Sequence, residues 1–598
     1  MTLKSLAVCA ALSSSWALGG VFFKHLFLRL VFTIALTVVI YDRFIKYRGK
    51  RRALSGASAT MAQGGMPPST GIPDSIINSL VYVTALPEQA HMVDVFQKRL
   101  TKFERFSSIP VPGEGGEYVW QPVMVHAEDH IIYHEVKDDQ ELYEKAMAIT
   151  ETKLRNPLLP RWEVHVIRNL ALASGANNKR AEFVAGTEAA RYDAAPPTGK
   201  SKPSHHMILF RLCHSIGDGI GLVVAFQDLL QDLNGNYLSE LDPESQITSL
   251  PTSPAPRTDL ASPGGDNSAT ASKRVPSVGD KNPLKGKRLS FGLVKDILAC
   301  AGNFLTMATG KFDTGLAFNG CAAKKCQMYS GRRRMVKVRP FSLAMVKEIK
   351  NKANVTVNDV CFAAAAAAIR HYSIAVASLR PDATKVSIIG DTKPFERRSK
   401  ADNVPELLED DDGIRLNAED RLSRAMLPMA FPRSLTDPAK ALRNHFTFVS
   451  VELATFESSA QARLMKTHQI TSKLKRSPQA LVSMALSDFV SSLAPLSFVQ
   501  QTVADTFSRH SMVFSNVPGP DQPILFAGAP VSEVQMVYPN LVTQVGLLSY
   551  NGSIFMNFTL DDQAIPSPEL LGLFFHDELK RYCWLYGVQY RDAPFFDA

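Results

Sequence analysis

Residues 249–288 read SLPTSPAPRTDLASPGGDNSATASKRVPSVGDKNPLKGKR, a run that no folded core can contain. So much Pro, Ser, Gly and Lys cannot bury enough apolar surface to offset the entropy of ordering the backbone. The run divides a 598-residue chain that is already too long for one ordinary core. Residues 53–75 are small and polar, and read as a second, flexible linker on the same grounds. Two folded blocks remain, 76–235 and 331–598, joined by a disordered crossover linker over 236–330; residues 172–204 and the acidic tract 406–412 read as surface insertions. Inside the blocks the β-type runs MILFRLC, KVSIIG, FTFVSVEL, HSMVFSNV and SIFMNFTL alternate with helical patterns. The expected class is therefore α/β, with a mixed sheet and helices in each block.

The first 52 residues form a separate unit. Leu6 to Phe23 carries no charge, and Leu30 to Tyr41 is again apolar. Arg43, Lys46, Arg48, Lys50, Arg51 and Arg52 then follow. A cleaved signal peptide also begins with a lysine and an apolar run, but the second apolar stretch and its basic flank fit a retained membrane anchor better. The basic cluster places that flank on the cytosolic side. One tilted span, a hairpin and a re-entrant loop all remain open.

Charge and cysteine usage exclude other classes. The net charge of +9 is modest and sits in short tracts such as Arg332-Arg333-Arg334, so nucleic-acid binding is not indicated. Seven cysteines, widely scattered and without a Cys-x-x-Cys pair, read as free thiols of a reducing compartment. His126, His130 and His134 have the spacing of helical metal ligands, but Ile131, Ile132 and Tyr133 between the last two predict a strand, which would scatter them. No metal is expected. There is no Gly-x-Ser-x-Gly elbow, which argues against a serine lipase, and Gly217, Gly219 and Gly221 do not make a dinucleotide fingerprint.

The stretch FRLCHSIGDGIGLVVAF (210–226) concentrates the candidate chemistry. The strand period of two puts Ile208, Phe210, Leu212 and His214 on one face and Met207, Leu209, Arg211 and Cys213 on the other. His214 and Cys213 therefore point opposite ways. Gly217 and Gly219 permit a tight turn into an amphipathic helix, and Asp218 stands where a helix cap is needed. Read alone, the window allows a catalytic histidine or a bland one bonded to a carbonyl.

Three further windows, NPLLPRWEVHVI (156–167), TVNDVCFAAAAAAIRHY (356–372) and SNVPGP (515–520), resemble, together with HSIGDG and in the same order, the bifunctional wax ester synthase/diacylglycerol acyltransferase family. The resemblance runs from about residue 76 to 565. It implies two chloramphenicol-acetyltransferase-like domains with a tunnel between them. It also implies transfer of a fatty acyl group from acyl-CoA, as co-substrate and without a further cofactor, to a long-chain alcohol or diacylglycerol. In that family the second histidine of a His-His-x-x-x-Asp-Gly motif is the general base. It corresponds to His214, with Asp218 and Gly219 completing the motif and Cys213 replacing the first histidine. Asp218 braces the loop on this reading. A neutral imidazole, with an unperturbed pKa of about 6.5, can take the proton of an attacking alcohol.

The tetrahedral oxyanion needs hydrogen-bond donors. Ser515 and Asn516, ahead of the rigid Pro518-Gly519-Pro520 turn, are the candidates. Asn358 is a further substrate-side candidate, and Trp162 in the Pro-Leu-Trp position either lines the site or fills core. Thr356 and Asp359 have capping-box spacing, and the run Ala363–Ala368 predicts a slim, closely packed helix. Two rivals remain: an amide-forming condensation domain, against which SNVPGP and the lack of a carrier domain count, and a non-catalytic lipid-binding homologue. Substrates of this class dissolve in membranes, so the expected location is the cytosolic face of the endoplasmic reticulum or a lipid droplet. With the chemistry lying beyond residue 75, a chain beginning near Pro73 is expected to stay active. The full chain is predicted to pellet with membranes and resist carbonate extraction; recovery of a secreted protein with a cleaved N-terminus would refute the anchor.

Overall fold

The computed structural model describes residues 54–72, 74–113, 118–172, 205–241, 291–313, 316, 330, 332–379, 387–389, 415–417, 422–433 and 441–593. The expected anchor, 1–52, both surface insertions and the Pro/Ser-rich run 249–288 lie outside these residues. In chain order the helices are α1 (Gly56–Ala62), α2 (Gln89–Val95), α3 (Asp139–Thr150), α4 (Gly219–Gln227), α5 (Phe291–Thr309) and α6 (Leu343–Ala353). There follow α7 (Val357–Leu379), α8 (Ala460–Arg476), α9 (Gln479–Leu493), α10 (Leu496–Ser508) and α11 (Glu569–Leu585).

The first of two large sheets combines β1 (Ile76–Val83), β4 (Ile131–Val136), β5 (Trp162–Asn169), β6 (His206–Cys213), β7 (Leu230–Gln231), β14 (Leu525–Phe526) and β15 (Ala529–Val537). Its seven strands run in the order β4-β5-β6-β1-β15-β14-β7. The second combines β8 (Arg333–Ser342), β11 (Arg424–Ala430), β12 (Phe446–Glu452), β13 (Met512–Pro518), β16 (Thr543–Tyr550) and β17 (Ser553–Asp561). Its six strands run in the order β12-β11-β13-β16-β17-β8. Two small pairs, β2 (Ser108–Pro112) with β3 (Tyr118–Pro122) and β9 (Ser387–Ile389) with β10 (Arg415–Asn417), complete the strands. Both large sheets are mixed: β4-β5, β11-β13 and β13-β16 are parallel, and the other pairs are antiparallel. Each of the five β-type runs singled out in the sequence contains a strand.

The period-two reading of β6 is borne out by where its side chains pack. Ile208, Phe210 and Leu212 join one core with Ile77, Phe96 and Trp162, while Met207 and Leu209 join another with Leu80, Leu142 and Ala146 of α3. Strands covered on both faces read as near-continuous apolar runs, as IINSLVYV of β1 does. Around the second sheet the core is built on α7, whose Ala363–Ala368 are all fully buried. Alanines let its neighbours α8 and α11 approach closely, as the slim-helix expectation required. Val357–Val376 is long and apolar enough to cross a membrane, but it lies wholly inside the protein as a core helix.

Three boundaries need correction. Residues 54–72, expected as flexible linker, begin with Leu54 fully buried and continue as α1, whose Ser58 is also fully buried. Alanine and serine offer little apolar area, so composition understates a segment whose value lies in fitting a narrow space. Residues 291–313, placed in the 236–330 linker, contain α5, whose Cys300 and Met307 are buried. The 331–598 block does not keep to its own sheet either: β14 and β15 cross into the first sheet, where β15 pairs along β1 from Asn78↔Val537 to Val83↔Val531.

One buried charge holds β6 to its neighbours. The fully buried Arg211 donates to Glu163 Oε1, to Thr152 O and, at 3.2 Å, to Asn78 Oδ1. Burial alone would raise the Glu163 carboxyl, but the His165 hydrogen bond and the Arg211 charge hold it below the ordinary range. Arg211→Met leaves that carboxylate buried without its cation. It is expected to cost about 3–5 kcal/mol, read as a lowered denaturant midpoint with an unchanged slope.

Candidate active site

His214 follows the last residue of β6, and its backbone N–H donates to Ser75 O at 2.7 Å. The half-buried ring lies 5.3 Å from the ring of Phe446 at the start of β12 and 5.9 Å from that of Tyr538, just after β15. The histidine thus sits between the two large sheets. Its Nδ1 is 3.1 Å from Asn444 Oδ1. The Asn444 amide nitrogen donates to His214 O at 2.5 Å and to Ser58 Oγ at 2.9 Å. A carbonyl oxygen can only accept, so Nδ2 must face it and Oδ1 must face the ring. Because Oδ1 accepts only, His214 carries its proton on Nδ1, and the ring's lone pair lies on Nε2. Burial holds the imidazole below its ordinary 6.5, with the Asp218 charge and the Asn444 hydrogen bond opposing it. The ring is therefore neutral at pH 7, and Nε2 can accept a proton.

Asp218 caps α4 through Gly221 N at 3.0 Å. It also pairs with both Nη atoms of Arg433 and accepts from His445 N at 3.0 Å. Every one of these partners is structural, so Asp218 ties the start of α4 to Arg433 and to the backbone of His445. Arg105 donates to Ile216 O at 2.8 Å, and burial and the Arg443 charge lower its pKa to about 10. The glycines serve close approach rather than a left-handed turn. A Cβ on Gly221 would lie 2.6 Å from Ala441 O, and one on Gly219 would lie 3.1 Å from Val517 Cγ2. The His214 loop is thereby pressed against residues 441–445 and the end of β13.

Cys213 points the other way. Ser215 Oγ donates to its sulfur at 3.1 Å, and its thiol reaches Met61 O at 3.7 Å. Burial pushes its pKa up, so it is a neutral, buried thiol at the end of α1.

The remaining candidates divide. Asn516 donates to Asn358 Oδ1, so the fold brings these two together across β13 and α7. Ser515, half-buried, is their neighbour on β13. Among the described residues no hydrogen bond links any of the three to His214. The Pro518-Gly519-Pro520 turn is held against the β16-β17 hairpin: Asn551 N donates to Pro520 O at 2.9 Å, and Gly519 lies so close to Ser549 O that a Cβ would be 2.3 Å from it. Trp162 is core and not site lining. It is 2% exposed, stacks on His130 at 3.9 Å and donates Nε1–H to Phe106 O at 2.9 Å. Thr356 and Asp359 form the expected capping box, at 2.9 and 3.2 Å, and Asp359 also accepts from Thr471 at 2.6 Å. Asn444, Arg433 and Ser58 escaped the sequence reading, because each acts across a contact that no local pattern announces.

With this geometry in view, residues 442–582 match the WS/DGAT C-terminal domain. That domain begins at Leu442, so it contains Asn444 and Phe446, while His214 lies outside it. No curated protein matches the chain by sequence. Among solved structures the chain is similar to the wax ester synthase/diacylglycerol acyltransferase from Marinobacter aquaeolei VT8, at 16% identity and a TM-score of 0.45, over 92% of this chain and 98% of that one. It is similar also to a trichothecene 15-O-acetyltransferase from Fusarium sporotrichioides, at 11% identity and a TM-score of 0.47, over 89% and 95% of the two chains. A third likeness is to the first condensation domain of the calcium-dependent antibiotic synthetase, at 11% and 0.47, over 92% and 98%.

If Nε2 is the base, kcat/KM falls about tenfold per pH unit below an acid limb that lies under 6.5, and this group leaves it flat above neutrality. An acid limb above pH 7 would contradict the assignment. Cys213→Ala, on the opposite face, is expected to leave the profile in place.

Proposed function

We propose that the chain is an acyl-CoA-dependent O-acyltransferase that moves a fatty acyl group to a long-chain alcohol or to diacylglycerol, with His214 as general base. The observation that carries this reading is the fixed tautomer: Nδ1–H is committed to Asn444 Oδ1 at 3.1 Å, leaving the ring's lone pair on Nε2, in a chain whose residues 442–582 match the WS/DGAT C-terminal domain.

The reaction follows from that atom. The acceptor hydroxyl oxygen attacks the thioester carbonyl carbon as its proton passes to Nε2, forming a tetrahedral oxyanion and an imidazolium. The imidazolium is favoured by the nearby Asp218 charge and by the Asn444 hydrogen bond. Collapse breaks the C–S bond, and the departing thiolate takes the proton from Nε2 to give ester and free CoA. The histidine ends neutral, and no acyl-enzyme is needed. Asn358, Asn516 and Ser515 are the candidates for holding the oxyanion or the acceptor. Membrane-dissolved substrates and the apolar, basic N-terminal segment support a location at a cytosolic membrane surface or lipid droplet.

Expression of the full chain in an ester-deficient host, with labelled acyl-CoA and thin-layer separation of products, is expected to show wax ester, triacylglycerol or both. His214→Ala, correctly folded, is expected to lower the rate by about 10²- to 10⁴-fold. Amides, water-soluble esters alone, no product, or an active His214→Ala variant would each refute the reading.

A further inference from the structure

We propose that Ser58, on the short helix α1, is a positioning residue of the active site, acting on His214 through Asn444; this rests on the functional reading above. An amide nitrogen has two hydrogens. On Asn444 one goes to His214 O at 2.5 Å and the other to Ser58 Oγ at 2.9 Å. The first bond settles which end of the amide faces the loop. The second settles the twist of the amide plane, and so the direction in which Oδ1 meets Nδ1–H of the ring at 3.1 Å.

Ser58 is built to hold that place. It is fully buried. Its backbone N–H donates to Ser55 Oγ at 3.3 Å, and the Ser55 hydroxyl donates to Ser58 Oγ at 3.1 Å. Beyond α1, Gln500 Nε2 of α10 donates to Gln63 O at 3.0 Å, and a Cβ on Gly56 would press on Ser491 of α9 at 2.6 Å. Helix α1 is thus wedged between α9, α10 and the segment that carries Asn444, and its far end meets the Cys213 thiol. A chain beginning near Pro73 lacks this acceptor for one Asn444 hydrogen, and on this proposal it is expected to be slower than the full chain.

The hydrogen bond from Nδ1–H to Asn444 favours the imidazolium, so loosening it lowers the pKa of His214. The other ionisable groups around the loop, namely Asp218, Arg433, Arg105, Tyr538 and Cys213, are untouched by substitution at Ser58. In the full chain, Ser58→Ala is expected to lower kcat about fivefold, leave KM for acyl-CoA unchanged and move the acid limb to lower pH. Because Ser58 acts through Asn444, the Ser58→Ala/Asn444→Ala double variant should be no slower than Asn444→Ala alone. Thr60→Val removes a hydroxyl from the same helix, one that bonds Gly56 O at 3.0 Å, and should leave the limb in place.

A second readout needs no turnover: the pH dependence of diethyl pyrocarbonate modification of His214, followed on its peptide by mass spectrometry. It should move with Ser58→Ala in the same direction as the kinetic limb. If the unaltered chain makes no ester, the functional reading fails and this titration alone decides the role of Ser58. Independent, multiplying losses in the double variant, or an unmoved His214 titration in Ser58→Ala, would overturn the proposal.

Discussion

The Asp218 carboxylate gathers donors from both halves of the chain, and the site depends on that meeting. Gly221 N comes from its own helix, while Arg433 and His445 N come from the approach to β12. A buried carboxylate stripped of one partner is costly, so the His214 loop and residues 441–445 are stable chiefly in each other's presence. The close approach of Gly221 to Ala441 O adds a steric condition to the electrostatic one. With both in place, Asn444 stands beside His214, and Ser58 holds the plane of its amide.

The choice of an amide rather than a carboxylate to orient the histidine has a chemical consequence. A carboxylate at Nδ1 would favour the imidazolium strongly and raise the pKa, whereas a neutral amide fixes the tautomer with a weaker pull. Burial then prevails, and the imidazole stays below its ordinary pKa. The charge that steadies the imidazolium comes from Asp218, which is held away from the ring by its own structural partners. Orientation and charge stabilisation are thus divided between two residues.

Much of this was legible in local pattern. The alternation in MILFRLC gave the two faces of β6 and the opposed directions of Cys213 and His214, and Thr356-x-x-Asp359 gave a cap that the structure reproduces. What escaped was long-range. Asn444 and His214 are 230 residues apart, and nothing near Asn444 marks it as a partner. The glycines around Asp218 were legible as necessary, but for a turn; their reason lies in a neighbouring strand and loop that sequence spacing cannot display. Residues 54–72 defeat a reading by composition, because small residues look the same whether they are loose in solvent or fitted into a crevice. Trp162 is ambiguous between site and core in the sequence for a related reason, since only its neighbours decide.

The passage of β14 and β15 into the first sheet also bears on how the molecule comes into being. Strand β1 has β6 on one side and β15 on the other, so one edge of an almost wholly apolar strand waits for a partner that leaves the ribosome more than four hundred residues later. During that interval the emerging N-terminal half carries an open sheet edge, the kind of surface that invites pairing with another chain. The fold that places a histidine between two sheets therefore carries a period of exposure during synthesis, and closure of the edge and completion of the site arrive together.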